Sequence, residues 1–133
     1  MATEVVVKES LSEHMIASGA ELTRRLDDAG MAVTAALWFY DSDANDWRFL
    51  IATADLRSEG VRETYKKVQS VVTAMPPDNL IALKDISVVD SDDPLISTLR
   101  IGVQTGTGIS NIRFSRNMIN GRYIEDAYIY RLI

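Results

Sequence analysis

The chain has 133 residues, a formal net charge of −5 and no cysteine; 47% of its residues are hydrophobic and 25% are charged. This length suits one domain able to bury roughly two thirds of its extended-chain surface, and the composition excludes a disordered chain. The acidic balance argues against double-stranded DNA as a partner, because phosphate neutralisation needs clustered Lys and Arg, and the lack of cysteine removes disulfides, thiolate nucleophiles and sulfur-bound metals.

Residues 1–8 form an arm whose structure the sequence leaves open, and residues 9–133 read as a single domain. No basic-then-apolar leader opens the chain, and no apolar run approaches the ~20 residues of a membrane span. A soluble cytoplasmic protein without membrane contact is therefore expected. Ser10-Leu11-Ser12-Glu13 fits a capping box. Leu11, Met15, Leu22, Leu26 and Ala29 recur at helical spacing, and Gly30 supplies a stop, which predicts a helix over 11–29.

Met31 to Tyr40 and Trp47 to Thr53 read as two strands joined by the loop Asp41–Asp46. Pairing Tyr40 with Trp47 sets Trp38 opposite Phe49 and Ala36 opposite Ile51, with Leu37/Leu50 and Ala35/Ala52 on the alternate face. Both faces are apolar, so this hairpin should lie centrally and be covered on both sides. A helix follows over 60–74, with Val61, Tyr65, Val68, Val72 and Met75 along one stripe, and Pro76-Pro77 ends it. Ile86 to Val89 is a short strand. Asp93-Pro94 starts a third helix carrying Leu95, Leu99 and Val103, and Thr105 to Gly108 breaks it.

The last 25 residues form a hairpin turned by Asn120-Gly121, since a type I′ turn needs positive φ at both central positions. Counting outward, one face receives Met118/Tyr123, Arg116/Glu125, Phe114/Ala127 and Ile112/Ile129. The other receives Asn117/Ile124, Ser115/Asp126, Arg113/Tyr128 and Asn111/Tyr130. The fold class that results is α+β: a mainly antiparallel or mixed sheet of about five strands with three helices, in the order α-β-β-α-β-α-β-β.

Motifs with known chemistry fail on their spacing. Asp41 to Asp46 opens like a calcium loop, but Asp46 stands where a glycine is needed and Ala52 where a bidentate glutamate belongs. Gly102 to Gly108 follows a helix and precedes a strand, the reverse of a dinucleotide-binding loop. His14 is the single histidine, without the spacing of a metal site or a nucleophile elbow. Asp90, Asp92 and Asp93 precede a helix, where capping explains them; Asp27-Asp28 lies near a helix end, where it does not. No catalytic group, metal or cofactor is expected.

The best binding candidate is the second hairpin face: Asn111, Arg113, Ser115, Asp126, Tyr128 and Tyr130. Alternation places these side chains together, offering hydrogen-bond donors, a cation and two aromatic platforms. A local basic patch of Arg113, Arg116, Arg122 and Arg131 accompanies it. The leading expectation is a non-enzymatic interaction or regulatory module that binds a protein partner or itself. The alternative is a sensor of a small anionic ligand, held by the hairpin face and the turn Thr105, Gly106, Thr107 and Gly108. A carboxylate–metal enzyme and a single-stranded nucleic-acid binder are weaker readings, lacking a supported acidic pair and a basic surface respectively.

Overall fold

The structure is a computed structural model that describes residues 10–79 and 81–133. The arm over 1–8 lies outside the described residues. Four helices and five strands follow in the order α1 (Glu13–Asp28), β1 (Val33–Asp41), β2 (Asp46–Thr53), α2 (Asp55–Glu59), α3 (Val61–Ala74), β3 (Ile86–Val89), α4 (Pro94–Gly102), β4 (Ile112–Ile119) and β5 (Arg122–Leu132). The α+β class and the element order are as the sequence predicts. The added element is the five-residue α2, which Gly60, at φ 88°, separates from α3.

Local chemistry accounts for the helix ends. Ser12, not Ser10, caps α1: its hydroxyl accepts the Met15 amide at 3.1 Å, and with Met15 as the third helical residue the cap is a simple one in place of the expected capping box. At the other end Gly30 sits at φ 82°, with the Gly30 amide bonded to the Asp27 carbonyl and the Met31 amide to the Leu26 carbonyl. This is a Schellman closure, which places glycine where other residues are strained. Asp93 caps α4 by accepting the Leu95 amide at 3.0 Å, with Pro94 in the first turn.

The strands form one sheet in the order β3-β2-β1-β5-β4. All neighbours are antiparallel except β2 and β3. The β1–β2 register pairs Tyr40 with Trp47, Trp38 with Phe49 and Ala36 with Ile51, as counted from the sequence. Both faces of this hairpin are covered. Leu22 and Leu26 of α1 and Val68 of α3 pack with Trp38, Phe49 and Ile51 on one face. Ile96 and Leu99 of α4 pack with Leu37, Leu50 and Ile129 on the other. Each such aliphatic side chain, fully removed from water, contributes about 1.5–3 kcal/mol before conformational entropy is subtracted.

Strand β5 departs twice from simple alternation. Between Ala36↔Arg131 and Leu37↔Ile129 the register shifts by one residue, a bulge at Tyr130. Tyr130 and Arg131 therefore both reach the α1 side. The second break is at Arg116 and its neighbours across β5: Phe114 and Ala127 join the α4 cluster, and so do Ile119 and Ile124, an odd number of positions away. Arg116 carries φ 49°, which turns the strand over. The sequence-based assignment of Ile124 to the polar face is thereby corrected.

Among the described residues no helix is long and apolar enough to cross a membrane. The two edges of the sheet differ. On β3 the outward Val88 amide donates to the Tyr65 hydroxyl at 3.0 Å. On β4 no strand pairs with the outer edge among the described residues.

Candidate functional site

The hairpin register is the expected one, from Ile119↔Arg122 through Asn117↔Ile124, Ser115↔Asp126 and Arg113↔Tyr128 to Ile112↔Ile129. Asn120 (φ 49°) and Gly121 (φ 81°) supply the two positive values that a type I′ turn demands. Within this frame the six candidate residues have three separate fates.

Arg113 and Asp126 form a two-point ion pair, with Nε–Oδ1 at 2.6 Å and Nη2–Oδ2 at 2.7 Å. The Asp126 side chain is 3% exposed and that of Arg113 is 44% exposed. The paired carboxylate raises the guanidinium's proton affinity further above its ordinary value, against a smaller opposing effect of burial. The Arg113 guanidinium carbon also lies 5.8 Å from the centre of the Trp47 ring, although β5 and β1 separate their strands. A carboxylate below and an indole beside it hold the cation in one place.

Tyr128 and Asn111 satisfy each other, the phenol donating to the amide oxygen at 2.9 Å. Tyr130, expected as an exposed platform, is instead 0% exposed. Its hydroxyl donates to the Ile16 carbonyl at 2.6 Å, one residue beyond the Met15 carbonyl that accepts Trp38 Nε1 at 3.0 Å. Two aromatic donors from different strands thus fasten the first turns of α1 to the sheet. Burial pushes the Tyr130 phenol far above its usual range, with Tyr128 beside it adding to the effect. Tyr130 belongs to the core, whereas Ser115 is exposed, as Asn111 and Arg113 are, and lines the same cavity as Arg113.

The expected basic patch shrinks for the same reason. Arg131 is 4% exposed and pairs with Asp27 at 2.7 and 2.8 Å, with further bonds to the Gly108 and Val33 carbonyls at 3.3 Å. This pairing explains why a carboxylate stands near the C-terminal end of α1. Arg116 and Arg122 remain exposed at the hairpin tip.

The Thr105–Gly108 turn is stitched to β5. The Thr105 amide donates to the Leu132 carbonyl at 2.9 Å, and the Leu132 amide donates to the Thr105 hydroxyl at 2.8 Å. That hydroxyl in turn donates to the Gly106 carbonyl at 2.8 Å. Thr105 is therefore occupied in extending the sheet, and neither Gly106 nor Gly108 has positive φ. The structure does not bring this turn into the cavity beside Arg113. In the Asp41–Asp46 loop, the Asp41 carboxylate accepts the amides of Asp43 and Ala44 at 3.0 and 3.3 Å, the use expected of a hairpin loop.

Two features escaped the sequence reading. A cavity of about 450 Å³ opens beside the hairpin, lined by Ser10, Leu11, Arg113, Ser115, Arg116 and Asp126. The second is an exposed apolar pair, Met118 and Tyr123, 59% and 55% accessible and directly opposite across the hairpin. Since Ile119 and Ile124 turn toward α4, their neighbours Met118 and Tyr123 occupy the reverse face, on the side of the cavity. The change of facing coincides with the positive φ of Arg116, which no residue type announces in advance. Comparison with protein-family models, with curated proteins and with solved structures finds no match.

Proposed function

We propose that the chain is a non-enzymatic interaction module that associates with a second copy of itself through the tip of the β4–β5 hairpin. The supporting observation is the Met118–Tyr123 pair, two large side chains more than half exposed, side by side on a two-stranded scaffold. Exposed apolar groups grouped in this way characterise contact surfaces, and aromatic residues with Met are enriched there. Arg116, Arg122 and Glu125 flank the pair, so a two-fold-related copy meets both signs of charge, and Arg can face Glu across the axis.

The contact therefore shifts from Tyr128 and Tyr130, which serve the fold, to the hairpin tip. A cytoplasmic location and a protein partner remain part of this proposal. Sedimentation equilibrium of the full chain tests it. The wild type is expected to dimerise, and Met118→Lys/Tyr123→Lys to sediment as a folded monomer. A monomeric wild type, or a variant that dimerises equally well, overturns the reading.

A further inference from the structure

We infer that the cavity between the lead-in to α1 and the β4–β5 hairpin binds the phosphate group of a small molecule, held by Arg116, Arg113 and Ser115. Its volume of about 450 Å³ lies within the range of small-molecule sites. This inference stands on the cavity lining and not on the association proposed above, with which it shares Arg116.

Arg116 carries the case. Among the described residues, three that are not glycine have positive φ: Asn45, Arg116 and Asn120. Asparagine tolerates that region because its short amide hydrogen-bonds locally, whereas arginine has no such relief. The turnover of β4 that sends Ile119 into the α4 cluster uses the positive φ, which glycine adopts without strain. What arginine adds is its guanidinium. Strict alternation would put that group on the face opposite Arg113 and Ser115. The turnover brings it into the lining of the cavity they share.

Charge and geometry agree with an anionic ligand. Among the described residues of the lining Asp126 is the single carboxylate, and both of its oxygens are engaged by Arg113. Among the described lining residues two guanidinium groups stand against one carboxylate, a local cationic excess within a chain of net charge −5. Arg113 is committed through Nε and Nη2, which fixes its plane while Nη1 keeps its donors for a ligand. Ser115 adds a hydroxyl, and Ser10 and Leu11, which lead into α1, complete the described lining. Planar forks around a hydroxyl suit a tetrahedral oxyanion with several acceptor oxygens. Asp126 acts as a positioning residue for Arg113. A nucleic-acid backbone would need an extended basic track, which an acidic chain with one compact cationic cavity does not offer.

Inorganic phosphate, titrated into the full chain at constant ionic strength and followed by amide NMR, provides the test. Saturable shifts are expected at residues 10, 11 and 113–116. Arg116→Gly keeps the required backbone, so it should melt no lower than wild type and yet bind phosphate at least about tenfold more weakly. Arg62→Gln, an exposed arginine of α3 outside the lining, should stay within about twofold. Phenyl phosphate should bind at least as tightly as phosphate, and succinate more weakly. Shifts that never saturate, undiminished binding by Arg116→Gly, or succinate binding more tightly than phenyl phosphate would each overturn the inference.

Discussion

Tyr130 lies so close to Gly19 that a methyl group on the glycine would stand 2.4 Å from the phenol oxygen and 2.7 Å from the ring. The absent side chain lets the phenol pass under α1 and donate to the Ile16 carbonyl. Glycine inside a helix is unfavourable by about 1 kcal/mol relative to alanine. At this position the close approach outweighs that preference.

Gly19→Ala is therefore expected to destabilise the fold by about 1–3 kcal/mol, where an exposed helical site would show a gain. Urea denaturation measures it: the midpoint should fall while the slope stays constant. A raised midpoint would mean that the phenol shifts aside freely.

The buried Tyr130 phenol predicts an alkaline limit. Its proton affinity in the folded state is raised by burial above the ordinary tyrosine value of about 10. Below pH ~10 both states are neutral and the contribution is fully present. Above it the unfolded chain loses the proton first, so the folded state binds more protons and stability falls as pH rises, by up to about 1.36 kcal/mol per pH unit. Thermal melting between pH 10 and 12 should decline less steeply for Tyr130→Phe than for wild type.

Much of this fold is legible in the sequence, and the illegible parts share a cause. The registers of both hairpins follow from Asn120-Gly121 and from facing Tyr40 with Trp47, because alternation and turn chemistry act locally. The roles of Tyr130 and Arg131 do not follow, since a bulge at Tyr130 turns both toward α1 and tertiary pairing creates it. Arg113 and Asp126 stand diagonally placed on the face predicted for them, but their two-point pairing depends on the burial of Asp126. Arg116 resists prediction most, because arginine gives no sign of positive φ.

The Asp27–Arg131 pair is asymmetric, with side chains 37% and 5% exposed. Asp27→Ala strands a buried guanidinium, whose loss of its partner should cost about 2–4 kcal/mol, discounted for the exposed carboxylate. Asp27→Ala/Arg131→Met removes both charges and should recover more than half of that loss. Chemical denaturation of the two variants checks it, and equal destabilisation of both would contradict the expectation.

Tyr65 closes the β3 edge through its hydroxyl. Tyr65→Phe keeps the ring and removes the acceptor, so the Val88 amide should exchange with solvent faster by about fivefold, matching a bond of about 1 kcal/mol. Amide exchange measured by NMR should show this change at Val88, while amides in β1 keep their protection.

The last strand in sequence is hydrogen-bonded to the first, with Ala35 opposite Leu132. During synthesis β1 and β2 emerge together, but the partner that completes the middle of the sheet leaves the ribosome almost a hundred residues later. Until then β1 offers a bare apolar edge and α1 lacks the anchor that Tyr130 provides. Pairings of such long sequence separation close slowly. Between the emergence of β1 and that of β5 the centre of the sheet thus stays open, and it closes when the β4–β5 hairpin docks against β1.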